Sequence, residues 1–428
     1  MGAPQTIILA DDLTGANDTA IQFVNQGLSA LVIPHIQFSD PSAFDTYDVV
    51  SFNSNSRGMS AGDAYNTVKN MAASLGAANR KFTFYKKIDS VLRGNPGAEL
   101  AAVMDELGIS LALVAPSFPA NRSILEQGIL NSGSGIVDAV KVFAQGMDKK
   151  VQNVPLEEIR RGYVSAADYI RNRHAEGAEV FIADAVTDTD LATIYQIAAA
   201  LKTPHILAGA AGLANQIARD LGRETAEILP PLNRQGPVLM IAGTRQGETA
   251  AQITTLSRIL SAPIIRFRVD LVREGKDEEA IGAAFTRAVE EMRQNPRICI
   301  IAVESMFRSE IPVGDVDRDK GEGDADSNAI SSALGLLAWK LLDAFQFSAM
   351  ITTGGDTSLE VCKRLGIRGI QPVTEICPGI PMGRIAGGTY DGQFIITKSG
   401  RFGNKGSLIE IMNYLSKSTD DTEKRCVI

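Results

Sequence analysis

"IILADDLTGANDTAIQFV", residues 7–24, runs from an apolar stretch through a turn with two acids and a glycine into apolar residues at helical spacing. The same design recurs in "LMIAGTRQGETAAQI" (239–253) and "MITTGGDTSLEVCKRLG" (350–366). A strand feeding directly into a helix is the repeating half of an α/β unit. In a parallel sheet such turns gather at the carboxyl ends of the strands, where open α/β folds bind ligands. The helix after each turn offers unpaired N–H groups and the positive end of its dipole to an anion.

Further strand candidates flank these. The first half has "TIILA", "SALVIP", "DVVSF", "KFTFY", "LALVA" and "EVFIA"; the second has "PVLMIAG", "PIIRFRV", "RICIIAV", "SAMITTG" and "GQFIITK". Amphipathic stretches separate several of them, among them "AGDAYNTVKNMAASLG" (61–76), which ends in a glycine stop. "LPPLNRQGP" (229–237) breaks the alternation with three prolines and a glycine. The reading is α/β: two α/β domains with mostly parallel sheets, spanning residues 1–230 and 236–428. "VGDVDRDKGEGDADSN" (313–328) is charged and nearly free of large apolar side chains, so an exposed, mobile loop is expected there, with a lid over a nucleotide as one role for it. Helical spacing returns after it, with Leu334, Leu337, Leu341 and Phe345 on one face.

Composition narrows the function. A chain of 428 residues exceeds one ordinary core. With 45% hydrophobic and 21% charged residues it reads as globular and soluble. A formal net charge of -8 gives no support for nucleic acid as a bulk partner, although a local Arg/Lys cluster suffices for a small anion. Cys299, Cys362, Cys377 and Cys426 lack C-x-x-C spacing, so neither zinc nor a disulfide framework is favoured. "MGAPQTIILADD" has no signal-peptide anatomy and no apolar run nears the ~20 residues that span a bilayer. A reducing, cytoplasmic setting is expected. "KRCVI" is no prenylation box, because only two residues come after the Cys.

Neither G-x-G-x-x-G nor G-x-x-x-x-G-K-[ST] is present, which argues against a nicotinamide fold and a P-loop. "GGDT" (354–357) would let a phosphate approach the backbone, and it would equally make an ordinary turn and N-cap. Asp11 and Asp12 repel one another past a buried strand; capping the next helix gives one of them a role and leaves the other without. "FNSNSRG" (52–58) ends a strand with Arg57, and "YKKIDSVLRGN" (85–95) ends another with Lys87, Asp89, Ser90 and Arg93. Arg and Lys from different strand ends suit a carboxylate ligand. His35, His174 and His205 are the only histidines and none lies in a Gly-rich or charge-rich turn, so an aspartate is the expected proton acceptor.

Taken in order, "ADDLTGANDTA", "SR" (56–57), "KKIDSVLRGNPGAEL", "APSFPANRSILEQGIL", "GGDTS", "PGIP" and "TKSGRFG" resemble the four-carbon acid sugar kinases over nearly the whole chain. The resemblance implies an N-terminal sugar-acid domain and a C-terminal ATP domain, with the active site in the interdomain cleft. It implies phosphoryl transfer from ATP, with Mg2+ or a similar divalent cation, to the terminal hydroxyl of a four-carbon sugar acid. D-threonate is preferred, with D-erythronate and 3-oxo-tetronate as alternatives. By the same resemblance Asp11, Asp12, Arg57, Lys87, Ile88, Asp89, Ser90 and Arg93 contact substrate. Thr244, Gly354, Gly355, Asp356, Thr357 and Gly403 contact ATP. Asp356, Asp12 and Asp89 are the candidate catalytic residues, in that order. "GTRQ" (243–246) departs from the Gly-Ser-Cys-Ser-like turn of many relatives, which weakens the assignment of Thr244. Metal ligands, the stereochemistry of the acid and the oligomeric state, a homo-oligomer included, stay open. The rival readings are a non-catalytic sugar-acid sensor and a dehydrogenase of the same acids.

Overall fold

A parallel strand with helices on both faces must be apolar throughout, and β1 (Gln5–Ala10) is buried from Thr6 to Ala10. The computed structural model describes residues 5–35, 44–76, 82–132, 135–223, 236–307 and 323–416. The chain divides into two units, Met1–Thr225 and Ala226–Ile428. In the first, β2 (Ala30–Ile33), β3 (Val49–Asn53), β4 (Phe82–Lys87) and β5 (Ala112–Ala115) come after β1. Next come the short β6 (Ile124–Glu126), β7 (Ile129–Asn131) and β8 (Ile136–Asp138), then β9 (Val151–Val154), β10 (Val180–Ala183) and β11 (Ile206–Gly209). The main sheet runs β2-β3-β1-β4-β11-β5-β10-β9, and its pairs are parallel. Burial outweighs propensity here. The "ALVA" of β5 is fully buried, and Leu113 and Val114 each contribute about 1.5–3 kcal/mol by leaving water.

The segment "APSFPANRSILEQGIL" becomes a 3-10 turn, Pro119–Asn121, and the first hairpin of an antiparallel β6-β7-β8 sheet. Gln127 and Gly128 both have positive φ, the geometry of a two-residue hairpin turn, and the buried Asp184 accepts both of their N–H groups at 2.6 and 3.0 Å.

The second unit holds β12 (Val238–Ala242), β13 (Ile264–Phe267), β14 (Ile298–Val303), β15 (Ala349–Thr353), β16 (Gly369–Cys377), β17 (Ile380–Ala386) and β18 (Phe394–Lys398). β13-β14-β12-β15-β18 are parallel, and β17 and β16 continue the row antiparallel. "PGIP" is the turn of that β16–β17 hairpin.

All eleven strand candidates of the sequence reading are strands. The expected loop over 313–328 is corrected at its end: the helix Gly323–Ala344 already includes its last six residues, and 308–322 lie outside the described residues. Leu334, Leu337 and Leu341 are buried on that helix, while Phe345 lies just past its end and is half-buried. Most of the breaking segment 229–237, and Cys426 in "KRCVI", also lie outside the described residues.

Candidate active site

Strands β3 and β4 flank β1 on opposite sides, so the chain diverges at the carboxyl end of β1 and leaves a crevice there. The register places Ala10 opposite both Asn53 and Lys87, so the next residues of all three strands emerge at one level. Asp11 and Asp12 leave β1 here, Arg57 lies past the end of β3, and Asp89 and Arg93 lie past the end of β4.

Arg57 is the hub. Its Nε donates to Asp11 Oδ2 at 2.7 Å, and its Nη2 to Asp11 Oδ1 at 3.0 Å and Asp12 Oδ1 at 2.9 Å. Its Nη1 lies 2.8 Å from Asp12 Oδ2, and its Nη2 lies 3.3 Å from Asp89 Oδ2. Arg93 grips Asp89 from the other side, donating from Nη2 at 2.6 Å and Nε at 3.2 Å. Gly94 makes this possible: its φ is +80°, and a Cβ there would sit 3.2 Å from the Arg57 backbone. Asp12 also caps the helix Leu13–Val24, accepting from Gly15 N at 2.8 Å. Capping and Arg57 binding are thus two jobs of one carboxylate, and Asp11, which capping left without a role, pairs with Arg57.

Burial works against the charges of Asp11, Asp89 and Arg57, and opposite charges overcome it. Burial alone would raise the Asp11 carboxyl; Arg57, helped by Lys86 and Lys87, holds it below the ordinary range. Burial opposes ionisation of Asp89 too, yet Arg93 and then Arg57 hold it well below. Burial likewise works to lower the pKa of Arg57, and Asp11, Asp12 and Asp89 raise it well above the usual value. Lys87 is buried with its Nζ donating to Ile88 O at 2.8 Å, so Ile88 enters through its backbone. A Cβ on Gly15 would lie 2.6 Å from Asp12 Oδ1 and 3.1 Å from Lys87 Nζ, which puts the ammonium beside that carboxylate. Ser90 is half-buried, and its carbonyl accepts from Ser123 Oγ at 2.8 Å.

Beneath the cluster lies a pair that sequence reasoning missed. Lys86 is fully buried with Nζ 2.7 Å from Glu99 Oε2, while Ser56 Oγ, next to Arg57, donates to Glu99 Oε1 at 2.8 Å. Burial pushes the Glu99 carboxyl up, with Lys86 opposing and the charge of Asp11 adding to the rise. The available signal was the acid of "NPGAEL" in the first turn of the helix Pro96–Leu107, where every other residue up to Met104 is apolar or glycine. Glu99→Gln leaves a buried ammonium with no carboxylate, and a loss of about 3 kcal/mol is expected in urea denaturation. Lys86→Met combined with Glu99→Leu should recover most of it. An unchanged midpoint in the single variant would refute the pairing.

In the second unit, the candidate residues lie just past three adjacent strands, β12, β15 and β18. Gly354 has φ 98° and ψ 135°, a region closed to other residues, and it opens the helix Gly355–Arg364 with no side-chain cap. Its N–H donates to Lys398 O at 3.1 Å, and a Cβ on it would approach Thr244 N to 3.5 Å. Gly243 packs against the Thr357 hydroxyl and Gly400 against that of Thr244, so each would clash if it bore a Cβ. Asp356 is exposed in the first helical turn and Thr357 is buried. Gly403, with φ +85°, turns the chain over Ser407 and Gln252. Thr244, Gly354, Gly355, Asp356 and Thr357 are therefore neighbours, with Gly403 two turns of chain beyond β18.

Two of the three histidines are held by backbone carbonyls away from the cluster: His174 Nδ1 lies 2.7 Å from Ala178 O, and His205 Nδ1 lies 2.7 Å from Thr203 O. Cys299, Cys362 and Cys377 are free and buried, and burial pushes each thiol up to about 12. Among the described residues no group of three or more His, Cys, Asp or Glu is arranged to hold a metal ion.

The first unit thus carries a charged cluster at a strand-order reversal, and the second a Gly-built turn at a helix start. Models of a sugar-binding N-terminal domain match residues 6–142 and 137–217, and one of a nucleotide-binding C-terminal domain matches 239–408. The chain belongs to the four-carbon acid sugar kinase family. It is 27% identical to a D-threonate kinase of Salmonella typhimurium, over 96% of this chain and 98% of that protein. To a D-erythronate kinase of Heliobacterium modesticaldum it is 26% identical, over 97% and 98% of the two chains. Among solved structures, Haemophilus influenzae protein HI1011 shares the fold, with a TM-score of 0.66, 21% identity and coverage of 96% and 100%.

Proposed function

We propose that this protein is an ATP-dependent kinase that phosphorylates the terminal hydroxyl of a four-carbon sugar acid, D-threonate to D-threonate 4-phosphate before the D-erythronate or 3-oxo-tetronate reactions. Residues 1–230 bind the acid and residues 236–428 bind ATP. The observation that carries the reading is the Arg57-centred cluster at the carboxyl end of β1. Its carboxylates accept hydrogen bonds from sugar hydroxyls. Arg57, engaged by all three, fixes their directions, while Lys87 and Arg93 answer the carboxylate of the acid. Relatives named D-threonate kinase, at 27%, 28% and 29% identity over 96% of this chain, favour D-threonate.

The Gly354 turn and the uncapped helix behind it suit a polyphosphate, which backbone N–H groups can approach where no side chain intervenes. A divalent cation such as Mg2+ would be carried mainly on those phosphates and neutralise their charge. The protein's part is to position the hydroxyl, take its proton and exclude water. No helix among the described residues is long and apolar enough to cross a membrane, and three unpaired thiols fit a reducing cytoplasm.

The test is ATP consumption with Mg2+ against D-threonate, D-erythronate and 3-oxo-tetronate, and then mass analysis of the product. Turnover of D-threonate with a phosphate added to the terminal carbon is the expected outcome. No turnover of any of the three by folded protein would reject the kinase reading. Binding of the acids without stabilisation by ATP would favour the sensor.

A further inference from the structure

Three lysines of the described residues are buried at strand ends: Lys86, Lys87 and Lys398. An ammonium taken out of water must be paired, or it costs several kcal/mol. Lys86 meets Glu99 at 2.7 Å, and Lys87 lies among the acids of the Arg57 cluster, where its charge acts on Asp11 and Asp89. Lys398 differs. Its Nζ donates to Thr249 Oγ1 at 3.0 Å and to Ser399 O at 2.9 Å, a hydroxyl and a carbonyl without formal charge. The side chain is nevertheless fully buried.

Its place explains what could answer that charge. The carbonyl of Lys398 holds Gly354 N, so the end of β18 is tied to the turn assigned above to the nucleotide phosphates. Thr249, which accepts from the amine, passes its own hydrogen to Gly400 O at 2.7 Å and so pins the turn after β18, where Gly400 packs on Thr244. Lys398 therefore links three elements: its amine joins the helix Gly247–Leu260 to the turn after β18, and its carbonyl holds the turn after β15. A neutral amine has two hydrogens and these acceptors use both; protonation adds a third hydrogen and a full charge, which a polyphosphate would offset.

We propose that Lys398 is a positioning residue of the nucleotide turns that gains a proton when a nucleotide polyphosphate binds. This rests on the nucleotide-binding reading of the second unit. Burial pushes the Lys398 amine down to about 7, with Glu248, exposed at the start of the helix Gly247–Leu260, opposing. In the β15–β18 register Thr353 lies beside Lys398 and Thr352 beside Thr397, and the segments leading out of these two strands carry Asp356 and Arg401. Phosphates nearby would move the amine back towards the ordinary lysine value, and the difference is proton uptake.

Calorimetric titration of the full chain with ATP and Mg2+, without sugar acid, in buffers of different ionisation enthalpy reads that proton. At about pH 8 the unaltered protein should take up about one proton per nucleotide, falling towards zero near pH 6 where the amine is already charged. Lys398→Met should abolish this uptake, measured as the difference from the unaltered protein so that protons of ATP itself cancel, and weaken binding roughly tenfold. Lys398→Arg, always charged, should bind within a few-fold of the unaltered protein with the uptake gone. Equal uptake by the unaltered protein and Lys398→Met overturns the proposal. Should Lys398→Met not fold, ATP binding by the unaltered protein with no change in uptake between these pH values overturns it alone. Failure of the unaltered protein to bind ATP overturns the nucleotide reading itself, and this inference with it.

Discussion

Arg57→Ala is expected to lower kcat/KM for the sugar acid by about a thousandfold and to cost the first unit about 3–5 kcal/mol. Asp11, Asp12 and Asp89 come from two different turns and share this one guanidinium, at 2.7–3.3 Å. Without it three carboxylates face each other in a buried site, with Lys87 and Arg93 left to oppose them. The loss has a pH signature. Asp11 and Asp89 titrate below their ordinary value in the folded protein, so their stabilisation is present above the unfolded carboxyl pKa, near 4, and fades as pH falls through the folded values. Removing Arg57 raises those folded values, so acid unfolding should begin at higher pH than in the unaltered protein. Arg57→Lys keeps a charge without the planar fork, and it should recover stability better than activity. Urea denaturation at neutral pH, an acid titration monitored by circular dichroism and steady-state kinetics make the comparison. An Arg57→Ala protein with an unshifted acid midpoint would contradict the hub assignment.

Much of this site was legible because parallel strands obey one rule: residues just past one buried apolar run lie beside those just past its neighbour in the sheet. "TIILA", "DVVSF" and "KFTFY" were unmistakable runs, and the polar residues after them do meet at one level. Strands without that signature were missed. β9, "VQNV", is half-buried and polar in its centre, and β16 carries a proline, a glutamine and a glutamate because it belongs to an antiparallel hairpin with partly exposed faces. The ion pair of Lys86 with Glu99 escaped for another reason. Successive strand residues point to opposite faces, so Lys87 and Lys86 in the same "KK" serve different layers, and only the partner thirteen residues on shows which is which. Lys398 is hidden in the same way inside "TKSGRFG", because nothing in that string distinguishes a buried lysine from a surface one.

Asp356→Asn should reduce kcat by about a hundredfold to ten-thousandfold while leaving stability within about 0.5 kcal/mol. Of the three aspartates considered for the proton, Asp89 is held well below the ordinary range by two guanidiniums, which makes it a weak base. Asp12 accepts from Thr14 Oγ1, Gly15 N and Arg57, so a proton arriving there would disrupt a cap and an ion pair together. Asp356 stands exposed in the first turn of the helix that opens at Gly354. Its substitution therefore touches chemistry more than folding. An equal loss would arise if Asp356 instead helped to hold the divalent cation, and two readouts separate the roles. A base leaves its mark on the acidic limb of the kcat–pH profile, which should flatten in Asp356→Asn, whereas a cation ligand gives a variant that higher Mg2+ restores. Near-normal turnover in Asp356→Asn would return the role to Asp12, and would require the Arg57 contact to loosen when the sugar acid is bound.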